Sequence, residues 1–240
     1  MVSLHAIKQF ILDILFPIHC LGCDQEGEWI CDRCMKRIRL NARQACPVCR
    51  QPGMGDVCPG CRSKTALDGL LAVCDYDQPL VQACIHTLKY LAIPSLAPPI
   101  VVLMWRCLTQ LSPLPKPSIL SNKNTALTPV PLHARRLKNR GFNQSELIAK
   151  EIGRLAGLPS VELLVRTCYT ESQMSLTRAE RLKNVLGAFS IKSDFEKMPE
   201  NVIIIDDVAT TLATLHECAS VLKSHGAKTV WGLVVARGSS

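Results

Sequence analysis

Eight cysteines between residues 20 and 61 restrict the fold of this 240-residue chain more than any other feature. They form four Cys-x-x-Cys pairs: Cys20 and Cys23, Cys31 and Cys34, Cys46 and Cys49, Cys58 and Cys61. Each pair can present two thiolates to one metal ion, and two pairs complete the tetrahedral sulfur site that suits Zn²⁺. So short a segment has too small an apolar core to fold alone, so the metal would supply much of its folding free energy. We therefore predict a double zinc ribbon holding about two structural zinc ions.

The spacing leaves the pairing of these cysteines open. Neighbouring pairs can share a metal in sequence, or the first and third pairs can share one in a cross-braced arrangement. A disulfide framework is disfavoured because the chain has 13 cysteines, an odd number, and no export signal. An iron–sulfur site is disfavoured because the dense cysteine run of bacterial ferredoxins is absent. No apolar stretch approaches the roughly 20 residues of a membrane span, so we expect a cytoplasmic protein without membrane insertion.

The pattern of the chain changes after Lys64. Apolar blocks at 69–75, 126–131, 161–165, 201–205 and 229–236 indicate strands. Helical patterns lie between them, at 79–91, 95–111, 143–156 and 175–184 and from the end of the fourth block through Lys223. Such alternation predicts an α/β fold in which a mostly parallel sheet carries helices on both faces. We expect an N-terminal helix and the ribbon in residues 1–64 and the α/β domain in residues 65–240.

A pair of acids follows the buried block 201–205. Asp206 and Asp207 precede a hydroxyl-rich turn that contains Thr210, Thr211 and Thr214 and opens a helix. Ligands of parallel sheets bind beyond the carboxyl ends of strands, and free amides at a helix start bind phosphate. Carboxylates beside such a phosphate site can accept hydrogen bonds from sugar hydroxyls or hold Mg²⁺ through water. The simpler alternative is an ordinary capped helix at a strand–helix turn.

This run, IIIDDVATTLAT, resembles the ribose-5-phosphate loop of type I phosphoribosyltransferases. The resemblance implies that the two acids bind the ribose hydroxyls of phosphoribosyl pyrophosphate and that the three threonines bind its 5-phosphate. Leu212 stands where that family usually has glycine. We expect a side chain there to hinder the approach of the backbone to phosphate and to strain the turn.

Further blocks of the chain resemble the ComF family. They are Lys89-Tyr90, 131–135 (PLHAR), 140–144 (RGFNQ), and Gln173 with 181–184 (RLKN) and 188–189 (AF). ComF proteins combine a double zinc ribbon with a phosphoribosyltransferase-like domain, and the match runs from about residue 12 to 236. The resemblance implies a type I phosphoribosyltransferase-like sheet, with Lys89 and Tyr90 at the pyrophosphate end. It also implies a role in DNA uptake during natural transformation, or in the use of DNA after uptake.

A basic segment lies in the middle of the chain. Four cations are followed closely by two amides, and we assign all six to the contact: Arg135, Arg136, Lys138, Arg140, Asn143 and Gln144. The net charge of the whole chain is +8, which favours polyanionic partners. We read the segment as a flexible basic turn that contacts phosphates of single-stranded DNA. A solvated charged loop is the alternative.

Three functions fit these features. The leading hypothesis is a competence or DNA-utilisation protein whose pocket binds phosphoribosyl pyrophosphate or a nucleotide and which associates with single-stranded DNA. The second is an active phosphoribosyltransferase that uses Mg²⁺, for which the sequence identifies no general base. The third is a non-catalytic adaptor for a helicase-like competence protein. Leu212 favours the first and third over the second.

Overall fold

The computed structural model describes residues 17–110, 124–168, 185–193 and 197–238. Within these ranges the cysteine-rich part contributes α1 (Asp32–Arg37), β1 (Gln44–Ala45), β2 (Pro52–Gly53) and a 3-10 turn (Pro59–Lys64). The first half of the α/β part comprises β3 (Gly69–Asp75), α2 (Pro79–Tyr90), a 3-10 turn (Pro94–Leu96), α3 (Ala97–Gln110) and β4 (Thr125–Pro129). The second half comprises α4 (Ala134–Arg140), α5 (Gln144–Ala156), β5 (Leu164–Arg166), β6 (Phe189–Ile191), β7 (Asn201–Ala209), α6 (Ala213–Ser224) and β8 (Thr229–Arg237).

The main sheet has four parallel strands in the order β3-β8-β7-β4. Alternate residues of each strand point to opposite faces, as Ile203 and Ile205 on one face and Val202 and Ile204 on the other show. Helices α2, α3 and α5 bury their apolar residues on the first face, and α6 covers the second. The α/β fold with helices on both faces of a parallel sheet is therefore confirmed.

The cysteine-rich part packs directly on this sheet. Each face of the sheet shares its hydrophobic cluster with one of the two cysteine clusters. The buried side chain of Gln44 lies along the free edge of β3, donates to the Ala72 carbonyl at 3.2 Å and accepts from the Ala72 amide at 3.0 Å. The Gly55 carbonyl accepts from the Leu70 amide at 2.8 Å. The ribbon thus covers an edge strand that would otherwise be exposed. The domain boundary after residue 64 stays a prediction.

Two elements differ from the sequence-based expectation. Strand β7 continues to Ala209, four residues beyond the expected end, because β8 keeps pairing with it as far as Ala209 and Arg237. The neighbour on the other side, β4, stops at Pro129 because Pro129 and Pro131 lack the amide that a ladder requires. The basic segment is not a flexible turn: it forms α4, which His133 caps and Gly141 ends with a left-handed backbone.

The remaining expectations hold in part. Helix α5 begins after its Asn143 cap and ends at Gly157, as expected. The strand expected at 161–165 is shorter and later, at β5, and pairs with β6 in an antiparallel hairpin. The expected N-terminal helix, the helix at 175–184 and the ComF-like residues Gln173 and 181–184 lie outside the described residues. No described helix has both the length and the apolar character that crossing a membrane requires.

Candidate metal clusters and anion pocket

The eight cysteines form two separate groups of four, and each group consists of two neighbouring Cys-x-x-Cys pairs. Their sulfur atoms lie within 4.8 Å of one another in each group: Cys20, Cys23, Cys31 and Cys34 in the first, Cys46, Cys49, Cys58 and Cys61 in the second. Neighbouring pairs therefore share a site, and the cross-braced alternative is excluded. The Sγ atoms of Cys23 and Cys31 lie 3.6 Å apart, as do those of Cys49 and Cys58. Four sulfurs around zinc at about 2.3 Å would lie about 3.8 Å apart, so both groups can hold structural zinc.

The same local turn builds both groups. In the first, the Asp24 amide donates to the Cys20 carbonyl at 2.8 Å, and in the second the Arg50 amide donates to the Cys46 carbonyl at 3.0 Å. Asp24 and Arg50 both have left-handed backbones, with φ of 60° and 65°. Gly22 is required in the first turn because a Cβ there would lie 2.9 Å from the Cys34 sulfur. The repeated turn orients each first pair of thiols toward the second pair.

The environment of the thiols lowers the pKa of Cys20 and Cys23 in the first group and of Cys46 in the second. Arg33 lowers the pKa of Cys23 to about 6. Burial opposes ionisation of Cys46, but the backbone amides of Cys49 and Cys58 outweigh it and lower the pKa of Cys46 to about 6. Because metal ligation requires thiolates, each group presents a ready first ligand at neutral pH.

The two acids lie on the part of β7 that extends beyond β4. Asp207 is almost fully buried, and its carboxylate accepts from Lys89 Nζ at 2.7 Å and from Gln144 Nε2 at 2.9 Å. Asp206 Oδ1 accepts from Ser145 Oγ at 3.1 Å and from the Asp207 amide at 2.9 Å. The start of α5 and the end of α2 therefore meet at the acid pair. The structure thus places Lys89 against Asp207, and its role at the pyrophosphate end stays a prediction.

Burial gives the carboxyl group of Asp206 an unusual proton affinity. Burial first, and then the charge of Asp207, raise the pKa of Asp206 to about 7. Burial would lower the pKa of Lys89, but the charges of Asp207 and Asp206 outweigh it, so the pKa of Lys89 is raised. At neutral pH the pocket therefore holds a cationic lysine and a carboxyl group close to its titration point.

Further cations surround the acids. Arg140 donates to Gln144 Oε1, and the charge of Asp207 acts on its guanidinium. Arg166, at the end of β5, is buried, and its guanidinium lies 5.3 Å from the centre of the Phe189 ring. Burial lowers the pKa of Arg166, which is close enough to Arg136 and Asp206 to feel both charges. Sequence reasoning missed Arg166, although a charged residue between the apolar positions of a strand was the available signal. The pocket thus surrounds two acids with four cations.

The threonine turn follows the acids. Leu212 has φ of 65° and ψ of 0°, a left-handed backbone that glycine adopts freely. This confirms the expected strain at that position. Leu212 begins α6 without a side-chain cap, while Thr211 Oγ1 accepts from the Ala213 amide at 3.4 Å. Thr210, Thr211 and Thr214 are all half-buried at this helix start. The turn thus presents a helix N-terminus beside the acid pair.

The basic segment divides into two faces of α4. Arg135 and Lys138 are exposed, whereas Arg140 is turned to the acid pocket. Asn143 is buried, caps α5 by accepting from the Ser145 amide at 3.1 Å, and donates to the Val130 carbonyl at 3.0 Å. Gln144 is equally buried against Asp207. These two amides are engaged within the protein. Tyr90 is 53% exposed at the pocket mouth, and its ring lies 4.8 Å from that of His86.

Comparison with known proteins shows the family of the chain. The chain is 31% identical over 211 residues to the DNA utilization protein YhgH of Salmonella typhi, covering 84% of this chain and 87% of that protein. The chain belongs to the ComF family. It is 35% identical over 115 residues to Competence protein F of Haemophilus influenzae, covering 46% of this chain and half of that protein. It is 36% identical over 108 residues to Competence protein ComFC of Bacillus subtilis, covering 45% of this chain and 42% of that protein. No protein-family model matches the chain.

Proposed function

We propose that this ComF protein acts in competence or DNA utilisation through a pocket that binds phosphoribosyl pyrophosphate or a nucleotide. The observation that carries the proposal is the acid pair, half-buried Asp206 and buried Asp207, with Lys89 and Arg140 beside it and the uncapped start of α6 after it. The acids suit ribose hydroxyls, the cations suit pyrophosphate, and the helix start suits a terminal phosphate. The names of the relatives, a competence protein and DNA utilization proteins, support the role in competence or DNA utilisation.

The state of Asp207 implies competition during binding. Lys89 Nζ and Gln144 Nε2 already occupy its two oxygens. A sugar hydroxyl, or a water on Mg²⁺, would compete with these donors for the carboxylate. Mg²⁺, when bound with pyrophosphate, would neutralise phosphate charge, and Lys89 would then be free to turn toward the pyrophosphate. We therefore expect affinity to depend on Mg²⁺ and on ionisation of Asp206.

Calorimetric titration of the zinc-loaded chain with phosphoribosyl pyrophosphate and Mg²⁺ tests the pocket. The parent should bind weakly, and Asp206→Asn with Asp207→Asn should abolish binding. The exposed Asp77 provides a matched control, because Asp77→Asn removes a carboxylate outside the acid pair. Equal affinity in the parent and the double variant would refute the pocket. The third hypothesis, a non-catalytic adaptor for a helicase-like partner, would then remain.

An active Mg²⁺-dependent phosphoribosyltransferase stays the second candidate, and the intact acid pair favours it. A nitrogen nucleophile would displace pyrophosphate from the ribose carbon, forming the glycosidic bond and losing its proton. The strained Leu212 opposes close contact with the 5-phosphate, so we expect little turnover. Release of pyrophosphate in the presence of candidate bases, above a blank without protein, would establish the enzyme.

We propose further that the exposed face of α4 contacts single-stranded DNA. Arg135 and Lys138 are one helical turn apart and both face solvent. Each lost phosphate contact should flatten the slope of log affinity against log salt by about 0.7, so Arg135→Ala with Lys138→Ala should flatten it by about 1.4. Arg62→Ala with Lys64→Ala removes the same charge from the ribbon as a control. Identical slopes in both double variants would exclude α4 as the contact.

A further inference from the structure

A polar cavity lies between the second cysteine group and strands β3 and β8. Its volume is about 170 Å³, several times the roughly 30 Å³ that a water molecule occupies in the liquid. Arg43, Arg50 and Arg237 line it, together with the amide of Asn41 and the carboxylate of Asp75. Arg237 lies on β8 and the acid pair lies on the neighbouring strand β7, so the cavity and the acid pocket belong to adjacent strands.

Arg237 is the central residue of the cavity. Its side chain is 8% exposed, and one of its Nη atoms donates to the Pro47 carbonyl in the Cys46–Cys49 turn. Its Nε is buried and has no hydrogen-bond partner in the part of the chain that the structure describes. Within the same part, no carboxylate comes within ion-pair distance of it. A buried guanidinium without a counter-ion is unfavourable unless an anion accompanies it.

The lining carries more positive than negative charge. Burial and the charge of Arg50 lower the pKa of Arg237 to about 10, while Cys46, which also lines the cavity, and Asp75 at the exposed rim act in the opposite direction. Asp75 accepts from the Asn41 amide at 3.4 Å. Arg50 Nη2 donates to the Gly238 carbonyl at 2.8 Å, and Arg43 is exposed at the rim. Three guanidinium groups therefore converge where the lining provides one carboxylate.

We propose that this cavity binds a phosphate group. Guanidinium groups are the side chains that match phosphate oxygens with two parallel hydrogen bonds, and Arg43 supplies the one that can close over the ligand from the rim. The cavity accommodates the phosphate and leaves the rest of a larger ligand outside. The phosphate can be free, or it can be the terminal 5′-phosphate of a DNA strand, because both present the same dianionic group.

The competing explanation is that the arginines only balance the metal site. Four thiolates around Zn²⁺ carry a formal charge of about −2, and Cys46 also lines the cavity. In that case Arg50 and Arg237 stabilise the Cys46–Cys49 turn and no anion enters. Arg43 distinguishes the two explanations, since its side chain lies at the rim and the turn does not need it.

The test follows the Nε–Hε resonance of Arg237 by ¹⁵N NMR in the zinc-loaded full chain. Because this Nε is buried, its proton exchanges slowly with water and should be visible. The resonance is assigned to Arg237 because it should be missing from the spectrum of Arg237→Lys. Inorganic phosphate should shift the resonance with a saturating profile. Arg43→Gln should weaken binding at least about fivefold, while Arg62→Gln, an equal loss of charge on the same ribbon, should leave it unchanged.

Two additional titrations identify the source of the phosphate and the outcome that overturns the proposal. The first titration compares a 5′-phosphorylated oligothymidylate with its 5′-hydroxyl counterpart. If only the phosphorylated strand shifts the resonance, and does so at a lower concentration than inorganic phosphate, the site binds a DNA end. A response to inorganic phosphate alone assigns it to the free ion. No shift, an equal shift with chloride at the same ionic strength, or an unchanged response in Arg43→Gln would overturn the phosphate site in favour of charge balance for the metal.

Discussion

Leu212 offers the sharpest test of the acid-pocket geometry, because its backbone and its side chain have separable effects. A left-handed backbone costs a leucine roughly 1–2 kcal/mol, which Leu212→Gly would remove. The glycine loses roughly 0.5–1 kcal/mol through the greater freedom of the unfolded chain. It also loses about 1 kcal/mol of packing, since the half-buried leucine contacts the cluster on the α6 face. These effects nearly cancel, so the stability of Leu212→Gly should match the parent within about 1 kcal/mol.

Leu212→Ala is the matched control. It loses most of the same packing but keeps a side chain on the left-handed backbone. The glycine variant should therefore be more stable than the alanine variant by about 1 kcal/mol, despite the smaller residue. For a chain of this size that difference corresponds to a shift of about 2–4 °C in thermal midpoint. Differential scanning calorimetry of the zinc-loaded variants measures it.

Ligand affinity provides the second readout of the same variants. If the leucine costs one charge-assisted hydrogen bond to phosphate, Leu212→Gly should tighten binding of phosphoribosyl pyrophosphate by about ten- to 150-fold. An alanine variant as stable as the glycine variant would refute the left-handed backbone. Equal affinity in the parent and Leu212→Gly would show that the leucine does not hinder the phosphate, and the active-enzyme hypothesis would gain.

The purified chain should contain about two zinc ions, and iron with sulfide in elemental analysis would contradict this expectation. Removal of the zinc by a chelator should lower the thermal midpoint of the whole chain in one transition, because both faces of the sheet share a core with a cysteine group. Between the ordinary pKa of about 4 and the folded value of about 7, folded Asp206 retains a proton that the unfolded chain releases. Stability should therefore fall as pH rises through this window, and Asp206→Asn should flatten the decline measured by urea unfolding. Lys89→Met leaves Asp207 buried without its cation and should lower the free energy of unfolding in urea by about 3 kcal/mol. A second substitution, Asp207→Asn, should restore most of that free energy.

The sequence predicted what depends on short spacing. Cysteine pairs, the run of apolar residues in β7 and the Asn143 to Gly157 limits of α5 each follow from local chemistry. The left-handed backbone at Leu212 also followed, because a glycine position was recognised. Local patterns did not show α4, whose stop signal, Gly141, lies in a stretch too charged to display helical periodicity.

Contacts between distant segments were not predictable from the sequence. The burial of Gln144 depends on Asp207, 63 residues away, and on Lys89 from a third element. Arg166 joins the pocket only because the β5–β6 hairpin packs beside the sheet. The use of Gln44 as a partner for β3 likewise needs the tertiary structure. Spacing therefore identified the cysteine groups and the acid pair, whereas the cations around them emerged from the fold.

The pairing of β3 with β8 has a consequence for synthesis of the chain on the ribosome. β3 follows the cysteine groups directly, yet its sheet partner β8 lies far along the chain, so Leu70 waits for Gly232. Zinc can bind the local turns early, but the apolar residues around them cannot be enclosed until β8 has been synthesised. A nascent chain halted before residue 229 would carry loaded metal on an unfinished surface. We expect such intermediates to need protection from aggregation, which makes the pairing of β8 the step that completes this sheet.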